Sequence, residues 1–103
     1  MNDAELVRQL KAEYDLESGF VGLLRSGKVD ESALARLMVV LRQIEPRGQA
    51  IDRRLVALLW WIPWVIEWQA QRLDRESQNE EAARVHRAHD AVFKELERIL
   101  GVA

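Results

Sequence analysis

His86 and His89 stand three residues apart in the run RVHRAHD, with Asp90 next in line. On one helix that spacing can bring two imidazoles toward one metal ion. A metal centre needs further ligands, and none stands at a recognisable spacing. The chain has neither a Glu-x-x-His pair of the di-iron bundle type nor a His-Glu-x-x-His run. At about 100° per residue, His86 also falls roughly 60° away from the apolar stripe that contains His89. The pair is read as one histidine at the edge of the core and one on the surface, and no metal is assigned to them.

Residues 22–29 read GLLRSGKV and match a phosphate-binding P-loop at Gly22, Gly27 and Lys28. Val29 stands where that loop needs Ser or Thr to reach magnesium. The loop must also leave a buried strand and open a helix, whereas this segment ends one helix and precedes another. Gly27 reads instead as the residue that terminates a helix. Carboxylates are plentiful, at Glu5, Glu13, Asp15 and Glu17 and again at Glu76, Glu80 and Glu81. The second group suits the positive end of a helix dipole. Nothing in either group marks a general acid. Ser18, Ser26, Ser32 and Ser77 lie in no nucleophile motif, and two histidines leave little scope for a triad. No catalytic residue and no cofactor is assigned, and the chain is expected not to be an enzyme.

The elements that would position these residues are helices throughout. No segment alternates apolar and polar residues over a useful length, and no Asn-Gly or Asp-Gly turn joins strand-like runs. Asp3 is expected to cap the first helix, with Leu6, Val7, Leu10 and Tyr14 on its apolar face. Gly19 and Gly22 weaken the continuation, so the helix either bends or restarts near Asp15 to Ser18. Asp30 is the next cap, and Leu34, Leu37, Met38, Leu41 and Ile44 form the stripe of a second helix that Pro46 and Gly48 end. A third helix is expected from about Gln49 to Glu76. Ser77 and Glu80 then form a capping box. In the last helix Ala82, Val85, His89, Val92, Leu96 and Ile99 make a seam that packs along a neighbour. The fold class is all-α: one domain over residues 1–103, a small bundle of about four helices, mostly antiparallel, with the third kinked at Pro63.

Composition narrows the functions. Of 103 residues, 49% are hydrophobic and 31% charged, as in a folded domain. Residues 1–45 carry eight acids and six bases and residues 46–103 carry nine of each, so neither part has the positive excess that nucleic acid demands. Arg42, Arg47, Arg53 and Arg54 bracket the turn between the second and third helices, but Glu45 and Asp52 dilute that patch. The chain has no Cys, which suits a reducing cytoplasm. The first residues are too charged for a secretory leader. The longest apolar stretch, Leu55 to Trp68, is short of the roughly 20 residues of a membrane span.

That stretch holds the strongest signal. LLWWIPWVIEWQ, residues 58–69, places four tryptophans within nine residues. On a helix Trp60, Trp61, Trp64 and Trp68 share an arc of about 100°. Ile51, Leu55, Leu58, Ile62, Val65, Ile66 and Leu73 gather on the other side. A helix that is apolar all round is normally buried. Either both faces are core, or the aliphatic face packs inside and the indoles meet a partner. The second reading is favoured, because Trp and Arg are enriched in interface hot spots and Arg53, Arg54, Arg72 and Arg75 border the arc. The expected site is Trp60, Trp61, Trp64 and Trp68 as anchors with Arg53 and Arg72 as rim. The expected partner is a protein, with a homodimer favoured. Two alternatives are a small-molecule pocket lined by the indoles and a helix lying in a membrane surface.

Overall fold

The computed structural model describes residues 2–46, 51–75 and 79–101, which form five helices with no strand among them. They are α1 (Asp3–Ala12), α2 (Phe20–Arg25), α3 (Glu31–Arg42), α4 (Arg53–Arg75) and α5 (Asn79–Leu100). The all-α expectation holds, and the count rises from four to five because the first helix stops at Ala12 and restarts at Phe20. Asn2, not Asp3, caps α1: its side chain accepts the N–H of Glu5 at 2.8 Å. Asp3 thereby becomes the first helical residue, where its charge still favours the positive end of the helix. Asp30 caps α3 as its type demands, accepting the N–H of Ala33 at 2.9 Å.

The break between α1 and α2 is held by Glu13. Gly19, the cap of α2, has no side chain to offer the free N–H groups of the first turn. Glu13 supplies the acceptors instead. Its carboxylate takes the N–H of Phe20 at 3.0 Å, and its carbonyl takes those of Val21 at 2.8 Å and Gly22 at 3.2 Å. The carboxylate is 3% exposed, and the Arg36 guanidinium from α3 completes it with contacts of 3.0 and 3.3 Å. So close an approach requires glycine. A Cβ at Gly22 would lie 1.9 Å from the carbonyl oxygen of Asp15, and one at Gly19 would lie 2.3 Å from the carbonyl of Glu13. Gly27 ends the α2 segment with φ +88°, the left-handed conformation expected of it.

α4 begins at Arg53 rather than near Gln49, because the Asp52 carboxylate takes the N–H of Arg54 at 2.8 Å and opens the helix there. The capping box expected at Ser77 lies outside the described residues. α4 is continuous through Pro63. It packs most extensively along α5 and also against α1 and α2. Glu67 opposite His89 and Asp74 opposite His86 show that α4 and α5 run antiparallel. One apolar cluster takes residues from all five helices, including Leu6, Leu10, Phe20, Leu37, Leu59, Ile66 and Val92. The Cα envelope measures 42 × 31 × 18 Å. A thickness of 18 Å holds about two helix layers at the usual 8–10 Å axial spacing. In so flat a bundle, α4 cannot be covered on every side.

Candidate docking surface

Leu55, Leu59, Ile62, Val65, Ile66, Ala70 and Leu73 of α4 are buried, which is the aliphatic face the sequence indicates, with Leu59 and Ala70 added to it. Ile51 and Leu58 are half-buried at its margin. The indoles point the other way. Trp60, Trp61, Trp64 and Trp68 remain 51%, 48%, 45% and 54% exposed. They are therefore not internal core of the single chain. They touch one another in a row: ring centroids are 5.0 Å apart for Trp60 and Trp61, 5.7 Å for Trp60 and Trp64, and 6.3 Å for Trp64 and Trp68. The first pair is edge-to-face at 83°, an arrangement that indole quadrupoles favour. Each ring thus supports its neighbour and leaves an outer surface bare.

Shallow grooves run along both sides of this ridge. On the α1–α2 side, Tyr14, Arg25, Trp61, Val65 and Trp68 line one of 340 Å³. On the α5 side, another of 340 Å³ lies between Leu59, Pro63, Trp60 and Trp64 of α4 and Phe93, Leu96, Glu97 and Leu100 of α5. At the N-terminal end, Arg53, Val56 and Ala57 join Trp60 and Trp61 around a third, of 360 Å³.

The arginines divide by role. Arg53 is exposed at the end of the ridge and makes no ion pair among the described residues. Arg54 is held by Asp52 through contacts of 3.1 and 2.9 Å, which lower the Asp52 carboxyl below its ordinary value. Arg72 lies to one side. Its Nε donates to Gln69 at 2.8 Å and its guanidinium covers Gly27, while Gln69 donates to the Arg25 carbonyl at 3.2 Å. This cluster fastens α4 to the end of α2. Arg75 is exposed in the indole sector, also without an ion pair among the described residues.

Tyr14 is the buttress on the α1 side. Its hydroxyl donates to the Leu58 carbonyl, and burial pushes its pKa up to about 12. The histidines are separate from each other. His86 faces Asp74 at 3.4 Å on the surface. His89 reaches Glu67 at 2.8 Å and stacks on Phe93 with centroids 4.1 Å apart. Ala88, not His89, takes the buried place in the α5 seam. Among the described residues, no three His, Asp or Glu side chains gather where they could hold a metal. No helix of the described chain is long and apolar enough to cross a membrane.

The groove walls on α5 went unseen in the sequence. Their signal was present: Phe93 and Leu100 stand at helical spacing from the seam residues His89 and Leu96, which makes the apolar face of α5 wider than a single packing stripe.

Comparison with protein families, with characterised proteins and with solved structures returns no match.

Proposed function

We propose that this chain is a protein-interaction module without enzymatic activity, which self-associates or caps a partner protein through the indole ridge of α4. The observation that carries this reading is the exposure of four adjacent tryptophans on a helix whose other faces are packed. A tryptophan presents up to about 250 Å², so four rings at half exposure leave roughly 500 Å² of aromatic surface in water. A patch of that size lies at the upper end of what monomers carry and is commonly functional. Two such faces brought together cover about 1,000 Å², the lower bound for a specific interface, before their flanks are added.

The ridge has the anatomy of an interface: an aromatic centre, apolar grooves beside it, and Arg53 and Arg75 at its two ends. Its ring contacts, one edge-to-face and two tilted, hold the indoles against one another, so less side-chain entropy is lost on docking. The test is the native mass in solution by light scattering over a concentration series, with Trp64→Ala alongside. Association that weakens in the variant supports the reading, and association untouched by the loss of this central ring counts against it.

A further inference from the structure

We infer that the α5-side groove is the receptor for the indole ridge of a second copy of this chain. The inference rests on the reading of the ridge as an interface and adds which surface it meets. Shape is the first argument. The ridge stands between two grooves, and a row of side chains at i, i+4 and i+8 packs into such a furrow on a facing helix. One chain carries both halves of the contact, so a two-fold pair forms two ridge-in-groove seatings from a single sequence.

Charge selects between the grooves. Arg53 and Arg75 stand in the same angular sector as the indoles, each about 10 Å along the axis beyond the terminal ring, within the reach of a long side chain. Neither makes an ion pair among the described residues. The α5-side groove carries Glu97 as its one charged lining residue, and that carboxylate also makes no ion pair among the described residues. The groove on the other side carries Arg25. An incoming ridge that brings arginines is matched by Glu97 and opposed by Arg25, and like charges placed across an interface are strongly disfavoured. The remaining α5-side lining is apolar, and Leu100 there is 44% exposed, a large aliphatic side chain left nearly half in water.

The experiment is sedimentation velocity over a concentration series on the full chain, comparing Leu100→Glu, Glu97→Arg and Arg25→Glu, with melting temperatures to confirm that each folds. All three positions lie on the surface. The dimer dissociation constant should rise at least about 30-fold in Leu100→Glu and about tenfold in Glu97→Arg, and stay within about twofold in Arg25→Glu. Adding Arg53→Glu and Arg75→Glu to the Glu97→Arg chain should recover most of the loss, because the swap restores opposite charges. If Leu100→Glu and Glu97→Arg dimerise like the parent while Trp64→Ala does not, the groove assignment is overturned and the ridge reading stands. A parent chain that stays monomeric at every concentration overturns the second copy as occupant.

Discussion

Removal of one ring at the centre of the ridge tests the proposed association against folding. Trp64 touches Trp60 and Trp68 through ring contacts of 5.7 and 6.3 Å and is 45% exposed. In Trp64→Ala the folded chain loses two aromatic contacts, worth about 0.5–1 kcal/mol each, and the burial of the covered half of the ring, about 3 kcal/mol at about 25 cal/mol per Å². For a domain of this size that lowers the melting temperature by roughly 20 °C, so association is read at a temperature where the variant keeps native helicity. Association loses the exposed half as well. The exposed part of the ring is about 110 Å², or nearly 3 kcal/mol at about 25 cal/mol per Å². A two-fold dimer loses it twice. After allowance for incomplete burial, a loss of at least about 3 kcal/mol remains, which is roughly a hundredfold in the dissociation constant. The assay is light scattering from micromolar to millimolar protein, read beside helicity by circular dichroism. A variant that keeps native helicity and the parent's mass at the parent's midpoint concentration would refute the reasoning.

Three further outcomes probe the scaffold. Glu13→Ala removes a buried acceptor shared by Phe20 and Arg36 and should cost about 2–3 kcal/mol in urea unfolding, while Glu13→Gln, which keeps an acceptor, should cost less than half of that. Gly27→Ala forces a Cβ into a left-handed residue and against the Arg72 guanidinium, 2.1 Å from where that Cβ would lie. It should cost about 1–2 kcal/mol by the same measurement, and an unchanged midpoint would remove the role given to this turn. Tyr14 is the chain's single tyrosine, so its phenolate absorbance titrates alone. Its folded pKa of about 12 lies above the ordinary value of 10.0, so folding favours the protonated form. The stability this contributes is complete below pH 10 and is lost as pH rises toward 12. Tyr14→Phe should lack that alkaline loss, and a phenolate midpoint near 10 in the folded protein would disprove the buried hydroxyl.

Much of this fold was legible because helical periodicity is local. The Asp30 cap, the turn at Gly27, the aliphatic face of α4 and the α3 stripe at Leu37, Met38 and Leu41 are read from neighbours in sequence, and the structure keeps them, although α3 stops at Arg42 and leaves Ile44, still buried, beyond its end. Glu13 was not legible. A carboxylate among several on a polar helix gives no sign that a glycine-capped helix will need its oxygens, or that Arg36, 23 residues on, will reach it. The sequence named the indole ridge but not its grooves, since Phe93, Glu97 and Leu100 reach Trp60 and Trp64 only through the antiparallel packing of α5 on α4. Arg72 shows the same limit from the other direction. Its angular position suits a rim residue, yet Gln69 and the turn at Gly27 draw it onto α2.

The grooves also weigh protein docking against the binding of a small apolar molecule. A drug-sized ligand site buries most of its ligand within walls on several sides. Here the indoles stand between the grooves, and no single groove is lined by more than two of the four rings. A ligand lying in the groove beside Tyr14 and Arg25 would cover parts of Trp61 and Trp68 and leave Trp60 and Trp64 in water. One in the α5-side groove would do the reverse. Only a surface as long as the ridge covers all four rings together, and a ridge spanning Trp60 to Trp68 is about 12 Å long at 1.5 Å per residue, a little over two helical turns. On the proposed reading the complementary object is another secondary-structure element, and a second copy of this chain brings one in its own α4.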